Sequence, residues 1–282
     1  MRADLPYTTD TSAEAHEVQL QLIRSFPPVR NAERALRLSR QVKNMALASI
    51  RRVHPDKSDV EIRLLFIEQA YGKELANGVR ETSAGGHSIV TGNDDLIPAL
   101  SPVVAAFREL NVSFYIGGSV ASSYHGAARS TVDVDVICDL KRSQVDRFVT
   151  ILGDEFYSSP SAILSAIDRK SCFNLIHLTS SFKVDVFILR ERPFDIGCMR
   201  RAQLGQLSSD SELRVPIATP EDMIIAKLEW FRATGESSDR QWNDVTWLCE
   251  LHGPKLDREA LTQAAESVGV KELLVRLLSS HA

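Results

Sequence analysis

Tyr115-Ile116-Gly117-Gly118-Ser119-Val120-Ala121 and Ser130-Thr131-Val132-Asp133-Val134-Asp135-Val136 decide how this chain is read, with thirteen residues between Ser119 and Asp133. The first stretch reads as a strand that runs into two glycines and a serine opening a helix. Such a turn lets backbone N–H groups approach a phosphate at a helix N-terminus. By itself, Gly-Gly at a strand end is an ordinary turn. The second stretch is more specific. Residues i and i+2 of a strand share a face, so Asp133 and Asp135 project together while Val132, Val134 and Val136 point to the core. Asp is disfavoured in strands, and two neighbouring carboxylates repel. A bound divalent cation would remove that repulsion.

A further Asp stands in the same setting downstream, in Phe182-Lys183-Val184-Asp185-Val186-Phe187. If this strand lies beside the first, three acids converge on one patch. Three carboxylates suit two Mg²⁺ ions with octahedral oxygen ligands. Two such ions clamp the attacking and leaving oxygens of an in-line phosphoryl displacement, and one carboxylate can take the proton of the attacking hydroxyl.

These residues resemble the nucleotidyltransferase superfamily with the DNA polymerase beta-like fold. Its pattern is a hydrophobic residue, Gly and Gly or Ser, a spacer, then D-h-D or D-h-E. Gly118-Ser119 and Asp133-Val134-Asp135 match it, Asp185 stands where that family places its third carboxylate, and the likeness covers residues 112–189. The resemblance implies transfer of NMP from an NTP such as ATP to an acceptor hydroxyl, with Mg²⁺, or Mn²⁺ in its place, held by Asp133, Asp135 and Asp185. Gly117, Gly118 and Ser119 would seat the triphosphate, and Asp185 would serve as base.

A second likeness narrows the group. Thr219-Pro220-Glu221-Asp222 leads into Lys227-Leu228-Glu229-Trp230-Phe231-Arg232 and then Arg240-Gln241-Trp242-Asn243-Asp244-Val245. This is similar to bacterial AbiEii-type nucleotidyltransferase-like proteins, some of them toxins, in which a K-x4-R helix and an R-x-x-D-h segment complete the site. The likeness implies an RNA 3′ end such as that of tRNA as the favoured acceptor, with a protein or small-molecule hydroxyl as alternatives, and an antitoxin as partner. Lys227 and Arg232 lie about 140° apart around a helix, so they cannot reach one phosphate from one face. Lys227 is therefore the first choice for the triphosphate and Arg232 the second, with Asp244 expected to hold Lys227 in place. Arg129, just before the acidic strand, is a further phosphate candidate by charge, as are Arg200 and Arg201. His125 reads as a structural histidine.

Composition sets the frame. The chain has 282 residues, 44% hydrophobic and 25% charged, with a net charge of -4. That is globular composition, which excludes a disordered, collagenous or coiled-coil protein. Without a run of about 18 apolar residues, no membrane span or secretory signal is expected. Cys138, Cys172, Cys198 and Cys249 form no C-x-x-C pair, so reduced thiols and a cytoplasmic location are the expectation. The charge is divided unevenly: residues 30–80 carry eleven Lys or Arg against six Asp or Glu, whereas residues 83–282 carry twenty against twenty-six. A basic segment of this kind is a solvated helical face or a contact for nucleic acid.

Residues 12–80 read as helices, about three of them. Pro27-Pro28 and His54-Pro55 are breaks, and Ser58-Asp59-Val60-Glu61 has capping-box form. Residues 81–94 have linker composition. Strand-like runs follow at 112–116, 132–138, 173–178, 182–189 and 213–217. From Thr219, a strong helix cap followed by Pro220, the pattern is helical. The predicted fold is α+β: a helical N-terminal domain at 1–82, a linker at 83–94, a small mixed-sheet nucleotidyltransferase domain at 95–218 and C-terminal helices at 219–282 completing the site. Two alternatives accompany this reading. One is a non-catalytic nucleotide-binding or interaction protein. The other is a J-domain-like co-chaperone, on the strength of His54-Pro55-Asp56, although the opening Y-x-x-L-G helix of that family is missing.

Overall fold

A computed structural model describes residues 11–84 and 96–279. Among the described residues the first elements are four helices: α1 (Ala13–Ser25), α2 (Pro28–Val53), α3 (Asp59–Tyr71) and α4 (Lys73–Ala84). Their limits follow the punctuation in the sequence. Pro28 is the first residue of α2, where its missing N–H loses nothing. Ser58 and Glu61 form the expected capping box at the start of α3. The expected linker falls largely outside the described residues.

After α5 (Leu96–Glu109) come β1 (Phe114–Ile116), α6 (Gly118–Tyr124), β2 (Asp133–Cys138), α7 (Val145–Leu152), β3 (Phe156–Tyr157), α8 (Pro160–Arg169), β4 (Cys172–His177), β5 (Lys183–Ile188), α9 (Pro193–Arg201), β6 (Gln203–Gln206) and β7 (Arg214–Ile217). The chain closes with α10 (Pro220–Ala233), α11 (Asp239–His252), α12 (Arg258–Val268) and α13 (Lys271–Ser279). The seven strands form one mixed sheet in the order β3-β4-β5-β2-β1-β7-β6. This is the α+β architecture expected. The β2–β5 and β1–β7 pairs are parallel, and the others are antiparallel.

One face of the sheet is apolar. Val134, Val136, Val184 and Val186 are fully buried, and α5, α7 and α8 cover that side, α5 against β2 and β5 and α8 against β4 and β5. The alternation of β2 turns Asp133 and Asp135 to the opposite face. There α6 packs on β2, α10 and α2 pack on α6, and α11 packs on α10.

The N-terminal helices bear on the start of the acidic strand. Ser39 Oγ accepts the Thr131 N–H at 2.9 Å, and the Tyr71 hydroxyl donates to Val132 O at 2.7 Å. Lys43, only 1% exposed, donates to Ser180 O in the β4–β5 turn with its ammonium 4.6 Å from the Phe182 ring centroid. Ile50, Ile62, Phe66 and Ile67 share a buried cluster with Ile176 and Leu178. His54-Pro55-Asp56 forms the turn between α2 and α3, and the proline and the Ser58 cap account for it locally. No helix among the described residues is long and apolar enough to cross a membrane.

Candidate active site

The parallel register of β2 and β5 sets Asp133 opposite Lys183 and Asp135 opposite Asp185. Antiparallel β4 sets Asn174 opposite Asp185 on the other side. The three aspartates thus share one face of adjoining strands, as the sequence pattern implied, with an ammonium among them. Lys183 Nζ donates to Asp185 Oδ2 at 2.6 Å and lies 3.7 Å from Asp133 Oδ2. Asn174 Nδ2 donates to Asp185 Oδ1 at 2.5 Å. The Thr131 hydroxyl donates to Asp133 Oδ1 at 2.7 Å. Asp135 makes no side-chain hydrogen bond among the described residues.

Electrostatics separates these groups. Burial, then the nearby charges of Asp133 and Asp185, pushes the Asp135 carboxyl up to about 7. Burial also raises Asp185, against the opposing pull of its hydrogen bond from Lys183. For Lys183, burial works against the charged form, but the hydrogen bond to Asp185 and the neighbouring carboxylates outweigh it and hold its pKa above the usual lysine value.

The glycine turn folds directly onto β2. Gly117 N–H donates to Asp135 O at 2.9 Å. Gly118 has φ +56°, and a Cβ built there would fall within the Asp135 carboxylate. Only glycine meets both conditions at this position. Ser119 is buried, and its Oγ accepts from Arg129 Nη2.

From the far wall, Lys227, 4% exposed, donates to Asp244 Oδ2 at 2.7 Å. Arg129 Nε donates to the same oxygen at 3.2 Å. A continuous chain, Ser119 to Arg129 to Asp244 to Lys227, therefore ties the glycine turn to α10 and α11. Arg129 reaches the glycine turn through Ser119, does not itself line the cleft beside Lys227, and has its charge committed to Asp244.

Between these walls lies a cleft of about 650 Å³, lined by Gly117, Gly118, Ser119, Asp135 and Lys227 among others. Its outer part is aromatic: Phe187 and Trp230 meet edge to face at 6.4 Å, and Trp230 is 52% exposed. Arg190 and Arg192 at the rim are neutralised by Asp195 and Glu229, with contacts of 2.6–3.1 Å.

Arg232 is not brought to this cleft. Its guanidinium donates to Gly269 O and pairs with Glu272, which follows from its angular separation from Lys227. Arg201 is paired with Asp222 at 2.6 Å. Arg200 and Arg201 do not line the cleft. His125 makes a 2.7 Å hydrogen bond through Nε2 to Ala218 O, and burial lowers its pKa to about 4, in keeping with a structural role.

Among the described residues, no group of three or more His, Cys, Asp and Glu side chains is placed to hold a metal. Both oxygens of Asp185 accept hydrogen bonds, from Lys183 and Asn174. Asp133 and Asp135 fit a divalent cation, although Asp133 also accepts from the Thr131 hydroxyl. They share a strand face, and Asp135 has its full acceptor capacity free. Lys183 was legible in principle, since it stands two residues before Asp185 and so shares its face. Asn174 was not, because nothing local fixes its register.

No protein-family model matches the chain, and no curated protein sequence matches it. Among solved structures, a solution structure of the antibiotic-resistance factor ANT(2'')-Ia is similar over 66% of this chain and 97% of that one, at 12% identity and a TM-score of 0.40. An antigenic nucleotidyltransferase-like protein from Paracoccidioides brasiliensis is similar over 64% and 91% respectively, at 16% identity and a TM-score of 0.36.

Proposed function

We propose that this chain is a nucleotidyltransferase that moves NMP from an NTP to an acceptor hydroxyl and releases pyrophosphate. The observation that supports it best is that Asp135, the Gly117–Gly118–Ser119 turn folded onto it, and Lys227 line one cleft, with Asp133 on the same strand face as Asp135. Asp133 and Asp135 would hold a divalent cation, Mg²⁺ or Mn²⁺. When bound, that cation would neutralise phosphate charge and polarise the α-phosphoryl group.

The chain's own residues do the rest. Lys227 neutralises the triphosphate, and Asp244 and Gln241 fix its ammonium. The glycine turn offers backbone to the phosphates without a side chain in the way. Phe187 and Trp230 present flat apolar surface to the base. A carboxylate of the acidic face takes the proton leaving the acceptor hydroxyl. Rate enhancement would come from positioning and charge neutralisation.

An RNA 3′ end is the favoured acceptor. Arg30, Arg34 and Arg37 line a second groove of about 490 Å³ beside Ser208 and Ser209, and arginines so placed suit phosphate. A toxin role held in check by an antitoxin follows from the AbiEii-type resemblance. The test is incubation with each labelled NTP, Mg²⁺ and total RNA or cell extract. Transfer that vanishes with Asp133→Asn and Asp135→Asn supports the reading, and transfer that survives both sinks it.

A second reading, nucleotide binding without turnover, is favoured by one observation, the Lys183–Asp185 ion pair within the acidic face. It predicts calorimetric binding of NTP that needs no divalent cation, with no transfer to any acceptor.

A further inference from the structure

The acidic face is a two-by-two patch, with Asp133 and Asp135 on β2 and Lys183 and Asp185 at the paired positions on β5. Its formal charge, with all four groups ionised, is that of three carboxylates and one ammonium. One divalent cation balances it, whereas two would leave it positive.

We propose that Lys183 is a built-in cation of this site, so that the chain holds a single divalent ion on Asp133 and Asp135, with Asp185 a positioning residue for Lys183 instead of a metal ligand. The proposal deepens the reading above and rests on its premise that this face binds a divalent cation.

Three observations carry it. First, both Asp185 oxygens are already engaged by donors of this sheet. Asn174 holds Oδ1 at 2.5 Å and Lys183 holds Oδ2 at 2.6 Å. Second, Lys183 is built in from several sides and is not a mobile surface lysine. Its side chain is 16% exposed. Its ammonium lies 5.4 Å from the Tyr71 ring centroid, and Tyr71 is itself tied to Val132 O at 2.7 Å. Third, the register places Lys183 beside Asp133 as well, at 3.7 Å from Oδ2. The ammonium thus stands between the carboxylates of the two strands. An ammonium supplies a compact point charge with three donors. Unlike a metal ion, it cannot be removed by a chelator.

The test counts ions on the full chain with Mn²⁺ alone, at a fixed pH above 8, by the electron paramagnetic resonance signal of free Mn²⁺. One site per chain is expected in the wild type. Lys183→Met, which keeps length and removes charge, frees Asp185 and raises the count to two, whereas Lys183→Arg keeps it at one. Asp185→Asn retains the single site, and Asp135→Asn abolishes it. Two sites in the wild type overturn the proposal. So does loss of the site in Asp185→Asn, or a count of one in a folded Lys183→Met, with folding checked by circular dichroism. If Lys183→Met does not fold, the wild-type count and Asp185→Asn decide. The count involves no nucleotide transfer, so failure of this proposal and failure of the proposed reaction are read separately.

Discussion

Gly118 and Asp135 are packed so closely that a methyl group on Gly118 would occupy the space of the Asp135 carboxylate. The glycine's positive φ, +56°, adds a second barrier to any side chain. Gly118→Ala is therefore expected to displace Asp135, destabilise the fold by about 1–3 kcal/mol and weaken Mn²⁺ binding. Urea unfolding and Mn²⁺ titration of the same variant check both. Binding at wild-type strength would show that Asp135 is free to move without consequence.

Lys227 and Asp244 form a buried ion pair in which the partners are not equivalent. Asp244 has two cationic donors, Lys227 and Arg129, whereas Lys227 forms one ion pair among the described residues, with Asp244. Asp244→Asn therefore leaves two cations short of a counter-charge, and removal of one partner of a buried pair typically costs about 3–5 kcal/mol. Lys227→Met leaves Asp244 still bound to Arg129 and should cost less. Thermal or urea unfolding of both variants tests the order. Equal losses would count against the shared-acceptor arrangement.

Asp135 gives the metal-free protein a distinctive dependence on pH. Its folded pKa, about 7, lies above the ordinary carboxylate value of 3.8, so the folded state binds the proton more tightly than the unfolded state. Its contribution is present in full below pH 4 and is lost as pH rises to 7, at up to about 1.4 kcal/mol per pH unit. Unfolding of wild type and Asp135→Asn from pH 4 to 8 measures it, and the difference in stability should change steadily across this window. A flat difference refutes it. Added Mn²⁺ should restore stability at the alkaline end, where the carboxylate is ionised.

Trp230 is half exposed at the rim and touches Phe187 edge to face. Trp230→Ala should leave stability within about 0.5 kcal/mol, as for other exposed sites, yet weaken NTP binding by losing about 1–3 kcal/mol of base stacking. Calorimetry with a non-transferable NTP analogue provides the measurement. Unchanged affinity would place the base elsewhere in the cleft.

Tyr71 reaches from α3 to Val132 O, just before the acidic strand. Tyr71→Phe removes the hydroxyl that serves this carbonyl and should cost about 1–2 kcal/mol. If the N-terminal helices only decorate the sheet, the melting temperature will not move.

Much of this was written locally. The capping box at Ser58 and Glu61, the cap at Thr219 and the breaks at Pro28 and Pro55 depend on neighbours within four residues, and each lies where the pattern put it. The short strands β3 and β6 carry no strand-like pattern in the sequence. Phe156–Tyr157 has two residues, and Gln203–Gln206 has polar ends and a glycine, so pairing and not pattern makes them strands.

By itself, the sequence determined that β2 would turn two aspartates to one face, that Asp185 would stand in a similar strand, and that a glycine turn would precede them. Strand alternation and glycine's freedom at positive φ act over a few residues. Only the tertiary structure decided what those carboxylates meet. The β2–β5 register put Lys183 beside Asp133 and filled Asp185 from both sides, while the packing of α10 and α11 gave Arg129 and Lys227 the same acceptor in Asp244. Register joins residues about 50 positions apart, and a shift of one would exchange the two faces of the strand, so no local pattern could specify these partners.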